Sequence, residues 1–567
     1  MNPKDILIKY WGYSNFRLQQ EEIISKIINK EDTLALLPTG GGKSICYQVP
    51  ALLQEGICIV ISPLIALMED QIRFLQSKGI KSVAITSRMN FSDSERVLTN
   101  CIYGNVKFLY LSPEKLRNEF VRQKLSKMNI NLIAVDEAHC ISEWGHDFRP
   151  AYRKIIEIRN ISSNCPFLAL TATATREVCD DIQKNLHFKK NNIVKSSFFR
   201  KNLSYIIQNS KNKNKRLLEI IKEIKSSIII YAHSRKATKE ISELLNKNNF
   251  SSTYYHAGLD IKTRLKRQEA WNNNQVRIIV ATQAFGMGIN KSDVKAVIHL
   301  FLPSRIEEYF QQAGRAGRNE GKAFSYLLIN KNDIITQKQL VELKHPKIDL
   351  IKFIYQKLAD FLNIAEFDLP EEYIPFDFSE FSKKYKITKL EIYYCLNILE
   401  QEEYLKLHRT INPTSKVKLL INKAELYKFQ ISNKIFDSII NALLRISSNI
   451  FYDFIPINEE KISKTLNISL NKIVDLLNNL KKIKVISYQQ KHNFPTIKYL
   501  QNRKDAKYLS INEKKLEQRK NNDKSKLDDI IKYVSTNDKC RNIMLLQYLS
   551  NEKSENCGIC DYCSKKI

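Results

Sequence analysis

Glycine and proline are scarce in this chain, with 15 glycines and 14 prolines among 567 residues. Lysine, asparagine and isoleucine are abundant instead, which indicates a drift in overall composition. No segment reaches the roughly 18 uninterrupted apolar residues of a membrane span. The first residues, Met-Asn-Pro-Lys-Asp, are not typical of a signal peptide. We therefore expect a soluble cytoplasmic protein without a membrane partner.

Acidic residues are too few to balance the basic ones. The chain has 90 Lys and Arg against 60 Asp and Glu, a formal net charge of +30. Such a surplus favours a polyanionic partner such as nucleic acid, although the drift towards lysine would raise the charge by itself. At this length we expect about three to five domains.

One glycine-rich stretch stands out, Ala35-Leu-Leu-Pro-Thr-Gly-Gly-Gly-Lys-Ser44. It follows an apolar run from Thr33 and predicts a buried strand, a turn and a helix. Such a loop can surround a phosphate with backbone N–H groups, while its lysine reaches the β- and γ-phosphates and its serine holds Mg²⁺. Leu37 replaces the glycine of the strict pattern, so an incidental turn is the alternative. The predicted nucleotide-binding residues are Thr39, Gly40, Gly41, Gly42, Lys43 and Ser44.

Between residues 33 and 190, strand-like runs alternate with helical patterns, which predicts a parallel sheet with helices on both faces. Ligands bind at the carboxyl ends of such strands. Asp136 and Glu137 follow the apolar run Leu-Ile-Ala-Val at residues 132–135, and we expect Asp136 to hold Mg²⁺ and Glu137 to activate the water that attacks the γ-phosphate.

The alternation restarts after residue 200 and predicts a second α/β domain without a phosphate loop. Arg315 and Arg318 are three residues apart, which would place them on one helix face. They are either a solvated surface pair or arginine fingers that reach the γ-phosphate bound by the first domain. We favour the second interpretation.

With these motifs in place, residues 10–330 resemble the RecQ family of superfamily 2 DNA helicases. Tyr13, Arg17 and Gln20 match its adenine-recognition motif, although the segment alone is only a loop before an amphipathic helix. The stretches Ser62–Gln71, Ser112–Leu116 and Ala281–Lys291 match motifs that contact the strand or the nucleotide. The resemblance implies that coupling and DNA-binding residues are His139, Trp144, His146, Phe148, Arg149, Thr171 and Thr173. Aromatic and arginine side chains in Cys140–Pro150 can stack on unpaired bases.

The middle region contains two similar stretches, one near 378–407 and one near 457–488. Each predicts helix, turn, helix and strand, as in a winged helix, and helical packing without DNA contact is the alternative.

Of eleven cysteines, seven are scattered and are expected in the core. The other four, Cys540, Cys557, Cys560 and Cys563, suit a structural Zn²⁺ site, with an iron–sulfur cluster as the alternative.

We thus expect an α/β protein with two tandem RecA-like motor domains, a mainly helical winged-helix-like region and a C-terminal four-cysteine zinc module. The expected boundaries are 1–195, 196–345, 346–505 and 506–567. The resemblance implies an ATP-, Mg²⁺- and Zn²⁺-dependent 3′→5′ helicase acting on single-stranded, duplex and forked DNA in recombination and repair. It also implies a monomer, associated with the nucleoid if bacterial, and single-strand-binding or recombination proteins as partners that the sequence does not identify. Alternatives are an RNA helicase, a translocase that does not unwind, and a DNA-binding regulator that uses nucleotide as a switch.

Overall fold

The computed structural model describes residues 2–38, 40–86, 89, 91–142, 145, 149–162, 164–283, 285–286, 291–370, 373–408, 414–452, 454–491, 494–550 and 554–565. The chain forms two compact units, one of residues 1–338 with 521–567 and one of residues 339–520. Among the described residues, no helix is long and apolar enough to cross a membrane.

The first motor domain is a seven-stranded parallel sheet in the order β3-β4-β2-β5-β6-β1-β7. Its strands are β1 (Thr33–Leu36), β2 (Ile57–Ile61), β3 (Ser82–Ile85), β4 (Phe108–Leu111), β5 (Ile130–Val135), β6 (Phe167–Thr171) and β7 (Ile193–Lys195). Its helices are α1 (Pro3–Trp11), α2 (Gln20–Ile28), α3 (Ile45–Leu53), α4 (Ile65–Ser77), α5 (Phe91–Tyr103), α6 (Glu119–Leu125), α7 (Glu157–Ile161) and α8 (Arg176–Asn185). Every residue of β1, β2, β4, β5 and β6 is buried, as expected of strands covered on both faces.

The second motor domain is a six-stranded parallel sheet in the order β10-β11-β9-β12-β13-β8. Its strands are β8 (Leu203–Asn209), β9 (Ser227–Tyr231), β10 (Ser252–Tyr255), β11 (Ile278–Ala281), β12 (Val294–His299) and β13 (Ala323–Ile329). Its helices are α9 (Lys213–Glu223), α10 (Arg235–Lys247), α11 (Ile261–Asn272), α12 (Ile306–Ala313) and α13 (Lys331–Lys344), the last of which runs into the other unit.

The other unit contains two winged-helix domains, and one is inserted in the other. The outer domain comprises α14 (Ile348–Leu362), β14 (Ile374–Pro375), α15 (Phe378–Tyr385), α16 (Lys389–Gln401), β15 (Leu405–His408) and β19 (Thr496–Tyr499). The inner domain comprises β16 (Ser415–Leu419), α17 (Lys423–Ser432), α18 (Asp437–Ile446), β17 (Ile455–Ile457), α19 (Glu459–Leu466), α20 (Leu470–Lys482) and β18 (Ile486–Gln489). Each has a three-stranded antiparallel sheet, ordered β14-β19-β15 and β17-β16-β18. His408 pairs with Thr496, so residues 409–495 leave and rejoin the outer sheet at one point.

The two domains repeat the same backbone details. The turn after α15 passes through Lys386 at φ +55°, and the turn after α19 passes through Asn467 at φ +53°. The turns after α16 and α20 pass through Glu403 at φ +58° and Lys484 at φ +59°. Four matching left-handed residues support the internal similarity that the sequence indicates, and the two sheets confirm the winged-helix interpretation over simple helical packing.

The chain ends on the second motor domain. α21 (Glu513–Ser535) enters the first unit at residue 521, and α22 (Arg541–Ser550) precedes a short knuckle of residues 554–565. The knuckle lies along β8, the edge strand of the second sheet, because the Asp561 N–H donates to the Tyr205 carbonyl (3.2 Å) and the Ile207 N–H donates to Asp561 Oδ2 (3.1 Å). The four-cysteine module therefore packs on the second motor domain, although a winged-helix unit separates them in sequence.

Candidate active site

The phosphate loop connects β1 to α3, as the sequence predicts. Gly40 has φ +85° and Gly42 has φ +75°, a region that favours glycine. The loop closes into the helix through the Ile45 N–H, which donates to the Gly42 carbonyl (3.1 Å). Gly41, Lys43 and Ser44 complete the described part of the loop, and Thr39 lies outside the described residues.

Gln20 holds this loop from α2. Its Nε2 donates to the carbonyls of Gly41 (3.2 Å) and Gly42 (3.1 Å), and its Oε1 accepts from the Arg17 N–H (2.9 Å). Gln20 is 1% exposed, whereas Tyr13 is 49% exposed with the Arg17 guanidinium 5.7 Å from its ring centre. Gln20 thus holds the loop by hydrogen bonds, whereas Tyr13 and Arg17 lie at the surface.

Asp136 and Glu137 lie at the carboxyl end of β5. Burial and the neighbouring Glu137 carboxylate raise the pKa of Asp136 to about 6, and the positive charge of Lys43 opposes this shift. Glu137 adopts φ +48°, which directs the chain sharply away from the strand. Glu137 Oε2 is buried and makes no hydrogen bond within the described residues. A lysine, the half-buried Asp136 carboxylate and the buried Glu137 carboxylate lie next to the phosphate loop, and such a set is suited to a magnesium-bound phosphate.

A chain of polar side chains leads from these carboxylates to β6. Glu137 Oε2 lies 3.4 Å from Nδ1 of His139, and this ring nitrogen hydrogen-bonds to Thr171 Oγ1 (3.0 Å). Thr171 Oγ1 donates to the Thr173 carbonyl (3.2 Å). All four residues are buried. The side chains of His139 and Thr171, with the Thr173 backbone, therefore link the predicted base to the end of the next strand.

Arg149 anchors the end of the loop expected to bind DNA. Its N–H donates to the Cys140 carbonyl (2.9 Å) and closes the loop at its base, while its Nη1 donates to the Pro63 carbonyl (3.2 Å). This second bond joins the loop to the Ser62–Gln71 segment. Trp144, His146 and Phe148 lie outside the described residues, so their role stays a prediction.

The two arginines of the second domain are not on a helix face, so that expectation is wrong. α12 ends at Ala313, and Arg315 and Arg318 follow in turns because Gly317 adopts φ +66° and its N–H donates to the Val294 carbonyl (2.9 Å). Arg318 still reaches the phosphate loop of the first domain. Arg315 Nη1 donates to the Gly286 carbonyl, and Arg318 lies against the phosphate loop, where a Cβ on Gly40 would be 3.4 Å from its Cγ.

Burial and nearby cations disfavour the charged form of the Arg318 guanidinium. Desolvation first, then the charges of Arg315 and Arg200, lower its pKa to about 9. A cluster of three arginines beside a phosphate loop would be stabilised by a bound polyphosphate.

Two groups of residues escaped the sequence analysis. Arg200 and Asn202, which precede β8, donate to the carbonyls around Gly317. At the end of β10, the Arg267 guanidinium lies 3.7 Å from the centre of the Tyr254 ring, which stacks on His256. None of them belongs to a glycine-rich, acidic or cysteine pattern, so their chemistry becomes visible only when the fold brings them together.

The four predicted zinc ligands meet in one cluster. The sulfur atoms of Cys540, Cys557, Cys560 and Cys563 all lie within 4.8 Å of one another, and none of the four forms a disulfide. The Cys540–Cys560 and Cys557–Cys563 sulfur distances are 3.9 and 4.0 Å. A tetrahedral zinc with bonds of about 2.3 Å needs sulfur atoms about 3.8 Å apart, so the cluster fits that ion.

Models of four protein families match the chain in order. They are DEAD/DEAH box helicase over residues 17–182, helicase conserved C-terminal domain over 212–320, RecQ helicase winged-helix domain of Bacteroidota over 417–490, and RecQ zinc-binding over 496–564. The last match agrees with the cysteine cluster and supports Zn²⁺ as its metal. The winged-helix match covers the inner of the two nested domains.

Curated relatives decide the family. The probable ATP-dependent DNA helicase RecS of Bacillus subtilis is 37% identical over 365 residues, which cover 64% of this chain and 72% of RecS. The chain belongs to the RecQ family. The ATP-dependent DNA helicase RecQ of the same organism is 42% identical over 343 residues, 60% of this chain and 58% of that protein. The chain thus spans about half to three quarters of the length of the bacterial relatives that it matches, and 23% of the longer ATP-dependent helicase SGS1 of Saccharomyces cerevisiae.

Solved structures support the motor fold alone. The DUF1998 helicase MrfA bound to DNA and AMPPNP superposes with a TM-score of 0.50 at 18% identity, over 60% of this chain and 52% of that one. This likeness agrees with the two parallel sheets of this RecQ-family chain.

Proposed function

We propose that this protein is an ATP-dependent DNA helicase that hydrolyses ATP between its two motor domains. The observation that carries the proposal is the position of Arg318, which comes from the second domain and lies against Gly40 in the phosphate loop of the first. A site built from both domains makes hydrolysis depend on their closure, and closure is how hydrolysis can move a nucleic-acid strand.

The nucleotide is held by the phosphate loop, with its backbone N–H groups and Lys43 on the phosphates. Ser44 and Asp136 would hold Mg²⁺, and the fit is supported by the burial and raised pKa of the Asp136 carboxyl group, which a cation would offset. Bound Mg²⁺ would neutralise charge on the β- and γ-phosphates. Tyr13 and Arg17 lie at the surface where an adenine could rest.

Glu137 acts as the base in this mechanism. Its buried Oε2 is free to accept a hydrogen bond from the attacking water, and the adjacent His139 is held in place by Thr171. Arg318, supported by Arg315, stabilises the charge that develops on the transferring phosphoryl group. Arginine fingers of this kind contribute about 10³–10⁵ to turnover.

Coupling to DNA runs through the loop between Cys140 and Arg149, which begins three residues after Glu137. A base stacked on its aromatic side chains would shift the loop. Because the loop directly follows Glu137 and His139 in the chain, such a shift would move these two residues as well. The family resemblance supports single-stranded and duplex DNA as ligands, movement 3′→5′, roles in recombination and repair, and action as a cytoplasmic monomer.

Strand displacement with matched substrates tests the function. We expect ATP-dependent release of a labelled strand from a duplex with a 3′ single-stranded tail and little release with a 5′ tail. Glu137→Gln is the control that keeps ATP binding. Release only from the duplex with the 5′ tail would show that the protein moves 5′→3′ along DNA. DNA-stimulated ATP turnover without any strand release would favour a translocase that does not unwind.

An RNA helicase is the second candidate, because one relative that is 43% identical over 342 residues is named a putative ATP-dependent RNA helicase, R290 of Acanthamoeba polyphaga mimivirus. The same assay on RNA duplexes of equal sequence separates the two. Preferential RNA unwinding would replace the DNA proposal. A regulator that uses nucleotide only as a switch would show no steady-state ATP turnover with single-stranded DNA.

A further inference from the structure

The turn that carries Arg318 is held in part by side chains from outside it. Gly317 has a positive φ and no side chain, and its conformation brings two carbonyls, those of Ala316 and Gly317, together. Arg200 Nη2 donates to both carbonyls (3.1 and 2.5 Å), and Asn202 Nδ2 donates to the Gly317 carbonyl (2.7 Å). The turn is thus shaped by the two residues that lead into β8.

Asn202 fixes the turn at both of its ends. Besides the Gly317 carbonyl, its Nδ2 reaches the carbonyl of Gly321 (2.9 Å), and its Oδ1 accepts from Arg200 Nε (3.2 Å). A Cβ on Gly317 would collide with this amide group, so the turn and Asn202 fit one another closely. Arg318 lies between Gly317 and Gly321, and its position follows from theirs.

The zinc knuckle fixes β8 from the opposite side. β8 is the edge strand, and the knuckle occupies the place of a further strand through Asp561, which bonds to Tyr205 and Ile207, and through the Ser204 hydroxyl, which donates to the Ile559 carbonyl. An edge strand without such a partner has exposed backbone groups and frays more readily.

Asp561 also joins the two halves of the zinc site. Its carboxylate accepts two hydrogen bonds from Arg541, at 2.9 and 3.1 Å, and Arg541 follows Cys540 directly. Asp561 itself lies between Cys560 and Cys563. One carboxylate therefore connects the helix that supplies the first thiolate, the knuckle that supplies the others, and the edge strand.

The same module also holds α12, the helix before the two arginines. Tyr533 of α21 packs on the Tyr309 ring at 5.7 Å, and Tyr548 of α22 donates to Glu307 Oε1 (3.0 Å), which also lies 3.3 Å from Lys526. These groups are buried or nearly so, which makes their geometry stiffer than that of surface pairs.

We propose that the zinc module braces the arginine turn through β8, with Asn202 as the positioning residue that connects the strand to Arg318 and Asp561 as the residue that connects the knuckle to the strand. The module then sets the rate of ATP hydrolysis in addition to stabilising the fold. This inference rests on the proposed role of Arg318 as an arginine finger.

Asn202→Ala in the full-length chain tests the inference. We expect kcat for DNA-stimulated ATP hydrolysis to fall about 10- to 100-fold, because a displacement of about 1 Å at a reacting group can cost that much. The KM for ATP, the Kd of a fluorescent ATP analogue, the bound zinc and the melting temperature should stay near their normal values. Asn209→Ala, at the exposed far end of β8, is the matched control and should behave like the unaltered protein.

A second variant examines the link to the knuckle. Asp561→Ala leaves all four cysteines in place, so we expect zinc to remain bound while kcat falls in the same way as in Asn202→Ala. Normal turnover in a zinc-loaded Asp561→Ala protein would overturn the link between the knuckle and the arginine turn.

A double-mutant cycle separates this inference from the proposed function. If Asn202 acts through Arg318, Asn202→Ala should cause no further loss in an Arg318→Ala background, since coupled residues are not additive. Independent losses that multiply, or a matching loss in Asn209→Ala, would overturn the inference while leaving Arg318 as the finger. Normal turnover in Arg318→Ala alone would overturn the proposed finger and this inference with it.

Discussion

Gln20 engages the protein backbone with both atoms of its amide group. The sequence predicts that this residue pairs with adenine, yet its Nε2 and Oε1 are bonded to the phosphate loop and to Arg17. A side chain that shapes the loop affects the binding of any nucleoside triphosphate, whereas one that pairs with the base affects ATP alone. The two roles can therefore be separated by comparing nucleotides.

We predict that Gln20→Ala weakens the binding of ATP and GTP by a similar factor. Two hydrogen bonds to the loop at about 1 kcal/mol each correspond to a loss of about 10- to 30-fold. Competition with a fluorescent nucleotide analogue measures both affinities, and Glu22→Gln, on the exposed face of α2, is the control. A loss confined to ATP would show that the amide reads adenine.

Substitutions at Lys43 and Glu137 should separate nucleotide binding from hydrolysis. Lys43→Ala removes the cation from the phosphates, so we predict that nucleotide binding or turnover is lost. Glu137→Gln keeps the size of the side chain and removes the base, so ATP should still bind while hydrolysis falls by about 10²–10⁴. Parallel binding and phosphate-release assays measure this, and near-normal turnover in Glu137→Gln would mean that the base lies elsewhere.

Among the elements, the loop between Cys140 and Arg149 has anchored ends, which suits a sensor. Its first residues share the short helical turn of His139, and its last is bonded to Pro63. A base stacked on Trp144 or Phe148 contributes about 1–3 kcal/mol, which is enough to shift such a loop between two arrangements.

We predict that Trp144→Ala or Phe148→Ala keeps ATP binding and basal turnover and loses most of the stimulation by single-stranded DNA. Unwinding should fall with the stimulation. ATP turnover titrated with oligonucleotide gives both quantities in one experiment. Equal loss of basal and stimulated turnover would show that these side chains support the fold, and full stimulation in both variants would place the sensor elsewhere.

Local sequence patterns predict the elements that have an apolar run or a glycine-rich turn within their own residues. The apolar runs ending at Leu36 and Val135 became buried strands, and the glycines between β1 and α3 became the phosphate loop. The edge strand β7, Ile193–Lys195, has only three residues, which are too few for an alternating pattern to be recognised. The helix expected to carry Arg315 and Arg318 ends early because Gly317 turns the chain, and spacing alone does not reveal where a helix stops.

At the scale of the molecule, order along the chain and position in space differ. The sequence places the cysteines last, after the winged-helix region, and gives no sign that they return to the second motor domain. The nested insertion explains the order: the outer winged helix follows α13, the inner one interrupts its sheet at His408, and α21 leads back to the first unit. Contacts between residues hundreds of positions apart, such as Tyr205 with Asp561, leave no local pattern to detect.

Because the zinc module packs on the second sheet, loss of the module should destabilise that motor domain. We predict that Cys560→Ser lowers bound zinc and the melting temperature, since binding free energy is folding free energy in small zinc sites. Cys395→Ser, at a cysteine buried in the outer winged-helix core, is the control that should retain zinc. Elemental analysis of the purified protein that finds iron, or no metal, would contradict the zinc assignment.

The nested arrangement also predicts that the inner winged helix can be removed. The described core of the outer domain draws its residues from 350–407 and 497–516, and that of the inner domain from 417–488, so the two cores are separate. His408 and Thr496 are direct partners in an antiparallel pair, and a two-residue Asn-Gly turn can connect such partners. Replacing residues 409–495 with Asn-Gly should therefore leave the outer domain folded and basal ATP turnover intact. Circular dichroism measures the folding and ATPase assays measure the turnover.

The matched control replaces 409–499 and removes β19 as well, which should unfold the outer domain because β14 and β15 both pair with that strand. If the shorter deletion unfolds the outer domain too, the two winged helices form one cooperative unit.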